Sequence, residues 1–372
     1  MNRSRISLGR ILGIPIGLDF SWFLIFALVT WTLATNYFPT EFKGWPSTQY
    51  WIVGAVTALM LFVSVVLHEL GHSVLALRYK IPVRSITLYI FGGVAEIGAE
   101  PPSALAEFFI AIAGPAVSFL LAGLFRLLEP VAGAVAPVLA VARYLAYING
   151  SLALFNLIPG FPLDGGRVFR AIIWATTGSL RRATIVAANV GRVVAFLFIL
   201  FGVWQMLAGN LGNGLWIAFI GWFLESAANA QLQQQRVQTL LAGHRGAEAM
   251  SRDCPVAAAS LTLQTLVDHH ILAKGQRCLV LQDNDRTVGL LTLHQIKDVP
   301  RDQWQTITAA QVMLNLDQIK HIRPDALLTT ALEQMDHEGV NQLPVFKDDQ
   351  LTGILSREDL ISYLRTLHDL SR

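Results

Sequence analysis

The stretch VGAVTALMLFVSVVLHELGHSVLAL, residues 53–77, is apolar for most of its length and carries three ionisable side chains near its end. About 20 apolar residues in a helix cross a hydrocarbon core of about 30 Å, so this stretch predicts a membrane span. Ionisable groups inside such a span are costly and usually mark functional sites. His68, Glu69 and His72 are therefore the first candidates for chemistry.

The two histidines are four residues apart, which places both imidazoles on one face of a helix. Two such nitrogens can bind one Zn²⁺, and a carboxylate beside the first ligand can take a proton from water that the metal activates. His68, Glu69 and His72 thus fit the HExxH pattern of zinc hydrolases. The alternative is a pair of helix-end histidines that anchor at the interface, and the absence of any other histidine before His244 disfavours it.

The composition agrees with a membrane protein. Hydrophobic residues make up 53% of the 372 residues and charged residues only 15%, with a mean hydropathy of +0.48. Soluble domains contain about 25% charged residues. The net charge of +2 gives no reason to expect nucleic-acid binding. Because lipid leaves unpaired backbone groups unsatisfied, the apolar stretches should be helices. Six are long enough: roughly 17–36, 50–77, 105–128, 136–158, 184–208 and 211–230.

The loop charges predict the orientation of these spans. With the N-terminus in the cytoplasm, only Lys43, Arg126 and Arg143 fall on the outer side, and most other Lys and Arg residues near the spans lie inside. Six spans then place both termini of a multi-pass cell-membrane protein in the cytoplasm. Cys254 and Cys278 have no CxxC spacing and fit a reduced compartment.

The segment VRSITLYIFGGVAEIGAE, residues 83–100, alternates and is rich in β-branched and aromatic residues. It predicts a short β-hairpin near the membrane surface, with Gly92 and Gly93 in its turn.

A catalytic zinc usually has three protein ligands, so a third residue is needed. Acidic residues inside or at the ends of the apolar spans are few: Glu69, Glu107, Glu129, Asp164 and Glu225. Asp164 lies in NLIPGFPLDGGR, residues 156–167, where two prolines and three glycines break a span. Such a break lets a side chain approach a metal. The alternative is that Asp164 only caps a helix that begins at Gly165.

The chain becomes polar from Gln233 onward. We therefore expect a transmembrane domain over 1–232, a connector over 233–245 and a cytosolic domain over 246–372. Within the last of these, Ala247–Asp298 and Ala310–Leu367 share one pattern of helix, strand, polar turn, strand and helix. A period of about 60 residues repeated once predicts a paired αβ module.

HELGH followed on a later span by NLIPGFPLDGGR resembles the site-2 protease family of intramembrane metalloproteases, over roughly residues 8–230. The resemblance implies one zinc ion held by His68, His72 and Asp164, with Glu69 as the general base. The AGPAVS run at 113–118 is similar to the Gly-Pro segment of the family, with Ser118 where the family often has Asn.

The same resemblance implies that Asn156 steadies the substrate carbonyl or the oxyanion; a hydrogen-bonded packing role is the alternative. It also implies that the hairpin around Phe91, Gly92 and Gly93 pairs with an unwound substrate strand, although a purely structural hairpin fits the sequence equally well.

The tail segment GVNQLPV followed by GILSREDL resembles a CBS domain, so the repeat would form a CBS pair. In that family the Gly353, Ser356 and Asp359 pattern binds ATP or another adenine nucleotide. The first copy has Gly289 and Thr292 but Gln295 in place of the aspartate. The alternative is a structural module that joins two chains in a homodimer.

Together these features predict six transmembrane helices with a small β-hairpin, followed by a soluble α/β CBS pair. The expected function is that of a zinc endopeptidase that cleaves transmembrane or membrane-associated regulatory proteins in the bilayer, with nucleotide regulation. A CBS-regulated transporter or channel is the alternative, but it should spread polar residues along several helices. An inactive scaffold would have no use for Glu69.

Overall fold

The computed structural model describes residues 5–90, 92–133, 135–252, 255–276, 278–284, 286–315, 320–348 and 350–370. The chain forms two compact units, Met1–Gln235 and Arg236–Arg372, and the division falls inside the predicted connector 233–245.

The first unit is mainly helical. Its helices are α1 (Ser21–Thr32), which continues through a π-helical turn (Leu33–Tyr37) into α2 (Phe38–Glu41), then α3 (Ser47–Arg78), α4 (Ala104–Ala132), α5 (Ala136–Asn156), α6 (Asp164–Thr177), α7 (Leu180–Leu207) and α8 (Leu211–Leu241). Within the described residues, five segments are long and apolar enough to cross a membrane: Ser21–Glu41, α3, α4, α5 and α7.

The predicted membrane-type helical region is thus confirmed, while the count of six spans stays a prediction. The sixth stretch, 211–230, is helical as part of α8 but is not among the five. Its polar residues Asn213, Glu225 and Asn229 lower its hydropathy.

Small side chains line the contacts between these helices, as is usual where helices pack in lipid. Several alanines are completely buried: Ala106 and Ala111 on α4, Ala140 and Ala153 on α5, and Ala183, Ala187, Ala188 and Ala195 on α7. Because these side chains are short, the helix backbones approach one another closely.

The predicted first span, 17–36, is wrong at its start, because residues before Ser21 form strands. Strands β1 (Arg5–Ile11) and β2 (Ile14–Asp19) pair antiparallel, and the helix begins only at Ser21. The physical reason is the period-two pattern of β2, which buries Ile14, Ile16 and Leu18 and turns the residues between them outward. The sequence contains this alternation of buried and less buried positions, but only over the short stretch of β2.

The predicted hairpin at 83–100 is confirmed as β3 (Val83–Tyr89) and β4 (Gly92–Ile97). Because Tyr89 pairs with Gly92, both glycines belong to β4, and the prediction that they form the turn is wrong. Phe91 lies outside the described residues. β3 also pairs in parallel with β2, so the sheet has the order β1-β2-β3-β4 and β4 forms an edge.

The second unit contains two αβ repeats. The first comprises β5 (Val256–Ala258), α10 (Leu263–Leu266) with a π-helical extension (Val267–Leu272), β6 (Cys278–Asp283), β7 (Arg286–Thr292) and α11 (Leu293–Lys297). The second comprises α13 (Leu328–Glu338), β9 (Gln342–Lys347), β10 (Gln350–Ser356) and α14 (Arg357–Leu370). The short helix α9 (Gly246–Ala249) precedes the first repeat. A 3₁₀ turn (Arg301–Gln303), α12 (Ala309–Val312) and β8 (Leu314–Asn315) lie between the two repeats.

The segment that precedes each repeat packs against the other repeat. Met313 and β8, which precede the second repeat, lie on Gly289 of the first repeat, and Met250 with Ser251 lies on Gly353 of the second. A Cβ at Gly353 would be 2.8 Å from the Met250 sulfur, so glycine is required for this crossing. This packing thus places Met250 against Gly353 and Met313 against Gly289.

Candidate metal centre

The helix α3 presents His68 and His72 toward the interior of the first unit, where both are buried. They stand one helical turn apart, and their Nε2 atoms are 3.3 Å from each other. The predicted shared face is therefore confirmed.

Asp164 brings the third donor from a distant part of the chain. Helix α5 ends at Asn156 and α6 begins at Asp164, so the predicted Pro/Gly break separates them. The Asp164 Oδ2 atom lies 3.1 Å from His68 Nε2 and 3.2 Å from His72 Nε2. Asp164 thus begins a helix and also faces both histidines.

Two imidazoles and one carboxylate suit a zinc ion that keeps an open position. The three donor atoms lie within 4.8 Å of one another. Helix α4 leaves room beside them, because Gly114 has no side chain there: a Cβ would lie 2.6 Å from His68 Nε2 and nearer still to His72 Nε2. These residues could hold a metal ion.

The outer ring nitrogens are also fixed by α4. The Nδ1 atom of His68 lies 2.8 Å from the Ser118 hydroxyl, and His72 Nδ1 lies 2.7 Å from the Ile110 carbonyl oxygen. Since a carbonyl only accepts, His72 donates its Nδ1 proton and keeps the Nε2 lone pair for a metal. Ser118 therefore contacts the ring of a candidate ligand.

Glu69 lies beside this cluster and under the edge strand. Its carboxylate lies near the Ala95 backbone N–H on β4. A Cβ on Gly93 would lie 2.6 Å from Glu69 Cγ, so the absence of a side chain lets the strand approach this closely. Glu69 and β4 are thus in direct contact.

The candidate ligands, Glu69 and β4 line one cavity of about 460 Å³. Its lining includes the three candidate ligands, Glu69, Gly92, Gly93, Asn156 and Arg167. The Asn156 amide donates to the Leu152 carbonyl at 3.0 Å, so one of its two N–H groups is engaged in its own helix. The structure therefore brings together all the described residues predicted for catalysis, metal and substrate.

The predicted nucleotide residues serve local structural roles. The Ser356 backbone N–H and hydroxyl both donate to the Asp359 carboxylate, at 2.9 and 2.6 Å, and the Asp359 N–H donates to the Ser356 hydroxyl at 3.1 Å. This reciprocal arrangement caps the start of α14. In the first repeat the Gln295 amide oxygen accepts hydrogen bonds from the backbone N–H and the hydroxyl of Thr292.

Two features of the site were not predicted from the sequence. A buried pair joins α4 to α6, in which Arg170 Nε donates to Glu107 Oε1 at 2.6 Å, and Arg167 lines the cavity one turn after Asp164. The three-residue spacing of Asp164, Arg167 and Arg170 was the available signal, because it places them along one side of a helix.

Comparisons with known proteins identify the family to which this chain belongs. The family model for peptidase family M50 matches residues 56–131 and 121–200, and the CBS domain model matches 247–302 and 310–366. Rip3 of Mycobacterium tuberculosis, by its name a candidate zinc metalloprotease, is 38% identical over 96% of this chain and 92% of its own. The zinc metalloprotease MJ0392 of Methanocaldococcus jannaschii is 27% identical over 99% and 98%.

A solved site-2 protease from Methanocaldococcus jannaschii is 30% identical, covering 61% of this chain and 94% of its own with a TM-score of 0.42. The similarity to Rip3 extends over nearly the whole of both chains, and the HELGH motif lies inside the segments matched by the peptidase model. The chain therefore belongs to peptidase family M50, the site-2 protease family of zinc metalloproteases, and carries a tandem pair of CBS domains.

Proposed function

We propose that this protein is an intramembrane zinc endopeptidase that cleaves transmembrane or membrane-associated regulatory proteins. The observation that carries the proposal is the meeting of His68, His72 and Asp164 with Glu69 beneath an edge strand. An edge strand has backbone N–H and C=O groups without partners in its sheet, so an unwound substrate segment can add to it.

The first task of the chain is to unwind and orient the substrate. A helical peptide bond in lipid is hydrogen-bonded and dry, so it resists hydrolysis until it is extended and exposed to water. Pairing with β4 would extend the segment, and Gly92 and Gly93 would leave space for it beside Glu69. Asn156 would donate its second amide N–H to a substrate carbonyl.

When bound, zinc would polarise the scissile carbonyl and acidify water at the site. His68, His72 and Asp164 would hold it, and the Ser118 hydroxyl and Ile110 carbonyl would fix the two imidazoles. Glu69 would accept a proton from the attacking water and later deliver a proton to the leaving amide nitrogen.

The experiment compares purified wild type with Glu69→Gln and His68→Ala for zinc content and for cleavage of a candidate membrane substrate. Glu69→Gln should keep zinc and lose cleavage, whereas His68→Ala should lose both. Cleavage that survives Glu69→Gln would contradict the catalytic role, and unchanged zinc in His68→Ala would contradict the metal site.

We further propose six spans with both termini in the cytoplasm, since few cations lie on the opposite side. Cysteine labelling from either side of intact cells tests this orientation. It is contradicted if Lys43→Cys and a cysteine placed at the C-terminus are labelled from the same side.

We also propose that the CBS pair binds an adenine nucleotide at Gly353, Ser356 and Asp359 and joins two chains in a homodimer. Asp359 would exchange its bonds to Ser356 for the ribose hydroxyls. Calorimetric titration with ATP, compared between wild type and Asp359→Asn, tests the nucleotide site; no heat from the wild type would rule it out. Mass measurement of the purified protein tests the dimer.

A further inference from the structure

Arg167 stands at the reaction cavity without a structural partner. It lies one turn after Asp164 on α6, is partly buried, and lines the same cavity as Glu69 and the histidines. Within the described part of the chain, its guanidinium makes no ion pair or hydrogen bond of its own. Its charge instead acts at longer range on Glu107, Asp164 and Glu69.

On the same helix, Arg170 differs from Arg167 because its guanidinium has close structural partners. Arg170 is 5% exposed, donates to Glu107 at 2.6 Å, and has its guanidinium carbon 5.3 Å from the ring centre of Phe161. The charge of Glu107 is therefore already balanced. The charge of Arg167 is not needed for that pair.

The nearby carboxylates have partners as well. Asp164 Oδ2 lies within 3.2 Å of both histidine Nε2 atoms, and the Glu69 carboxylate lies near the Ala95 backbone N–H. Among the described residues that line the cavity, Arg167 is the one with a permanent positive charge. A cation held in a poorly solvated cavity without a close counter-ion is costly, so an anionic ligand is expected to complete it.

We propose that the Arg167 guanidinium binds the scissile carbonyl oxygen as that oxygen becomes negative during the reaction. This inference rests on the proposed endopeptidase function. The water oxygen bonds to the carbonyl carbon, the C=O π electrons move to the oxygen beside Arg167, and one water proton passes to Glu69. The electron pair then returns, the C–N bond breaks, and the proton on Glu69 passes to the leaving nitrogen.

This role differs from that of Asn156. The Asn156 amide is neutral and already donates to Leu152, so it suits a substrate carbonyl that stays uncharged. A guanidinium is charged and presents several donors, and its attraction to an oxygen grows as negative charge develops. Arg167 should therefore affect the chemical step more than substrate binding.

The test uses the full-length enzyme in detergent with a membrane substrate, comparing wild type, Arg167→Gln, Arg167→Lys and Glu69→Gln. Arg167→Gln should lower kcat about 10²–10³-fold with KM nearly unchanged, as for loss of one oxyanion donor. Arg167→Lys should recover part of the loss. Arg181→Gln, which removes an exposed arginine at the start of α7, is the matched control and should behave as wild type.

Two further measurements separate this role from a structural one. Zinc content should be equal in wild type and Arg167→Gln, and the affinity for a phosphinate peptide of the substrate sequence should fall with kcat. Loss of zinc in Arg167→Gln, or a kcat within about threefold of wild type, would overturn the inference. The proposed function itself fails separately, if Glu69→Gln cleaves as fast as wild type. If Arg167→Gln does not fold, equal kcat for Arg167→Lys and wild type would overturn the inference.

Discussion

The Nδ1 atom of His72 lies 2.7 Å from the Ile110 carbonyl oxygen, which joins the candidate metal-binding face of α3 to the backbone of α4. A backbone carbonyl cannot be removed by changing a side chain, so this contact fixes one imidazole whatever residue stands at 110. The equivalent contact of His68 is made by the Ser118 hydroxyl, which a single substitution can remove.

Ser118→Ala should therefore weaken zinc binding by about 10–100-fold, because His68 loses the partner that orients its ring. Competition with a fluorescent zinc chelator measures this. Ser73→Ala is the control, since Ser73 is also a buried serine of this region but bonds to the Glu69 carbonyl of its own helix. Equal zinc affinity in Ser118→Ala and wild type would show that the hydroxyl does not support the ligand.

Gly114→Ala should abolish zinc binding, because the added Cβ would occupy the space of the His68 and His72 Nε2 atoms. Gly123→Ala makes the same change further along α4, where a Cβ would meet nothing within 4 Å. This control should keep zinc and be as stable as wild type or slightly more so. Metal analysis measures the zinc content of both proteins, and full zinc occupancy in Gly114→Ala would contradict the prediction.

Gly93→Ala should reduce kcat/KM at least tenfold while zinc stays bound. The new Cβ would collide with Glu69 Cγ and push β4 or the carboxylate away from its position. Gly17→Ala serves as the control in the same sheet, because its Cβ would make only an ordinary contact of 3.6 Å with the Ile6 carbonyl. Cleavage assays and zinc analysis are the measurements, and unchanged kcat/KM would mean that the strand position is unimportant.

Breaking the buried pair of Glu107 and Arg170 should destabilise the first unit strongly. Glu107→Ala leaves the Arg170 charge buried and should cost about 3–5 kcal/mol, whereas replacing both residues by Met should cost much less. On the same helix, Arg126 pairs with Glu129 but is 73% exposed, so Arg126→Gln should cost only about 0–1 kcal/mol. Urea unfolding in detergent measures the three changes. Equal losses for the single and double variants would show that the pair is not coupled.

The stability of the second unit should depend on pH through Glu248. Hydrogen bonds from His244, Tyr363 and the Arg245 backbone lower the pKa of Glu248 from 4.5 to about 2. Because the folded-state pKa is depressed, its contribution is complete above about pH 5 and is lost as the pH falls toward 2. Glu248→Gln should therefore destabilise at pH 7 and have little effect near pH 2.

Urea unfolding of the full chain, followed by reaction of the buried Cys278 thiol in a Cys254→Ser background, reports on this unit. Glu333→Gln, which changes an exposed carboxylate on α13, is the control and should show no such pH dependence. A constant difference between wild type and Glu248→Gln from pH 7 to pH 3 would contradict the assignment.

The sequence alone determined the parts of this protein whose signal is local. His68, Glu69 and His72 lie within five residues, so a helical period is enough to place both imidazoles on one face. The apolar stretches predicted the helices, and the repeated tail predicted the paired αβ module. Asp164 could be chosen because the apolar spans contain few acidic residues and a Pro/Gly break precedes it.

The tertiary structure decided what depends on contacts between distant segments. His72 and the Ile110 carbonyl are 38 residues apart, and a backbone carbonyl has no signature in a sequence. The absence of a side chain at Gly114 leaves space for the His68 and His72 Nε2 atoms only because α4 packs against α3. Arg167 is a similar case. In the sequence it is one of several cations expected near a membrane surface, and only the packing of α6 places it in the cavity that His68 and His72 also line.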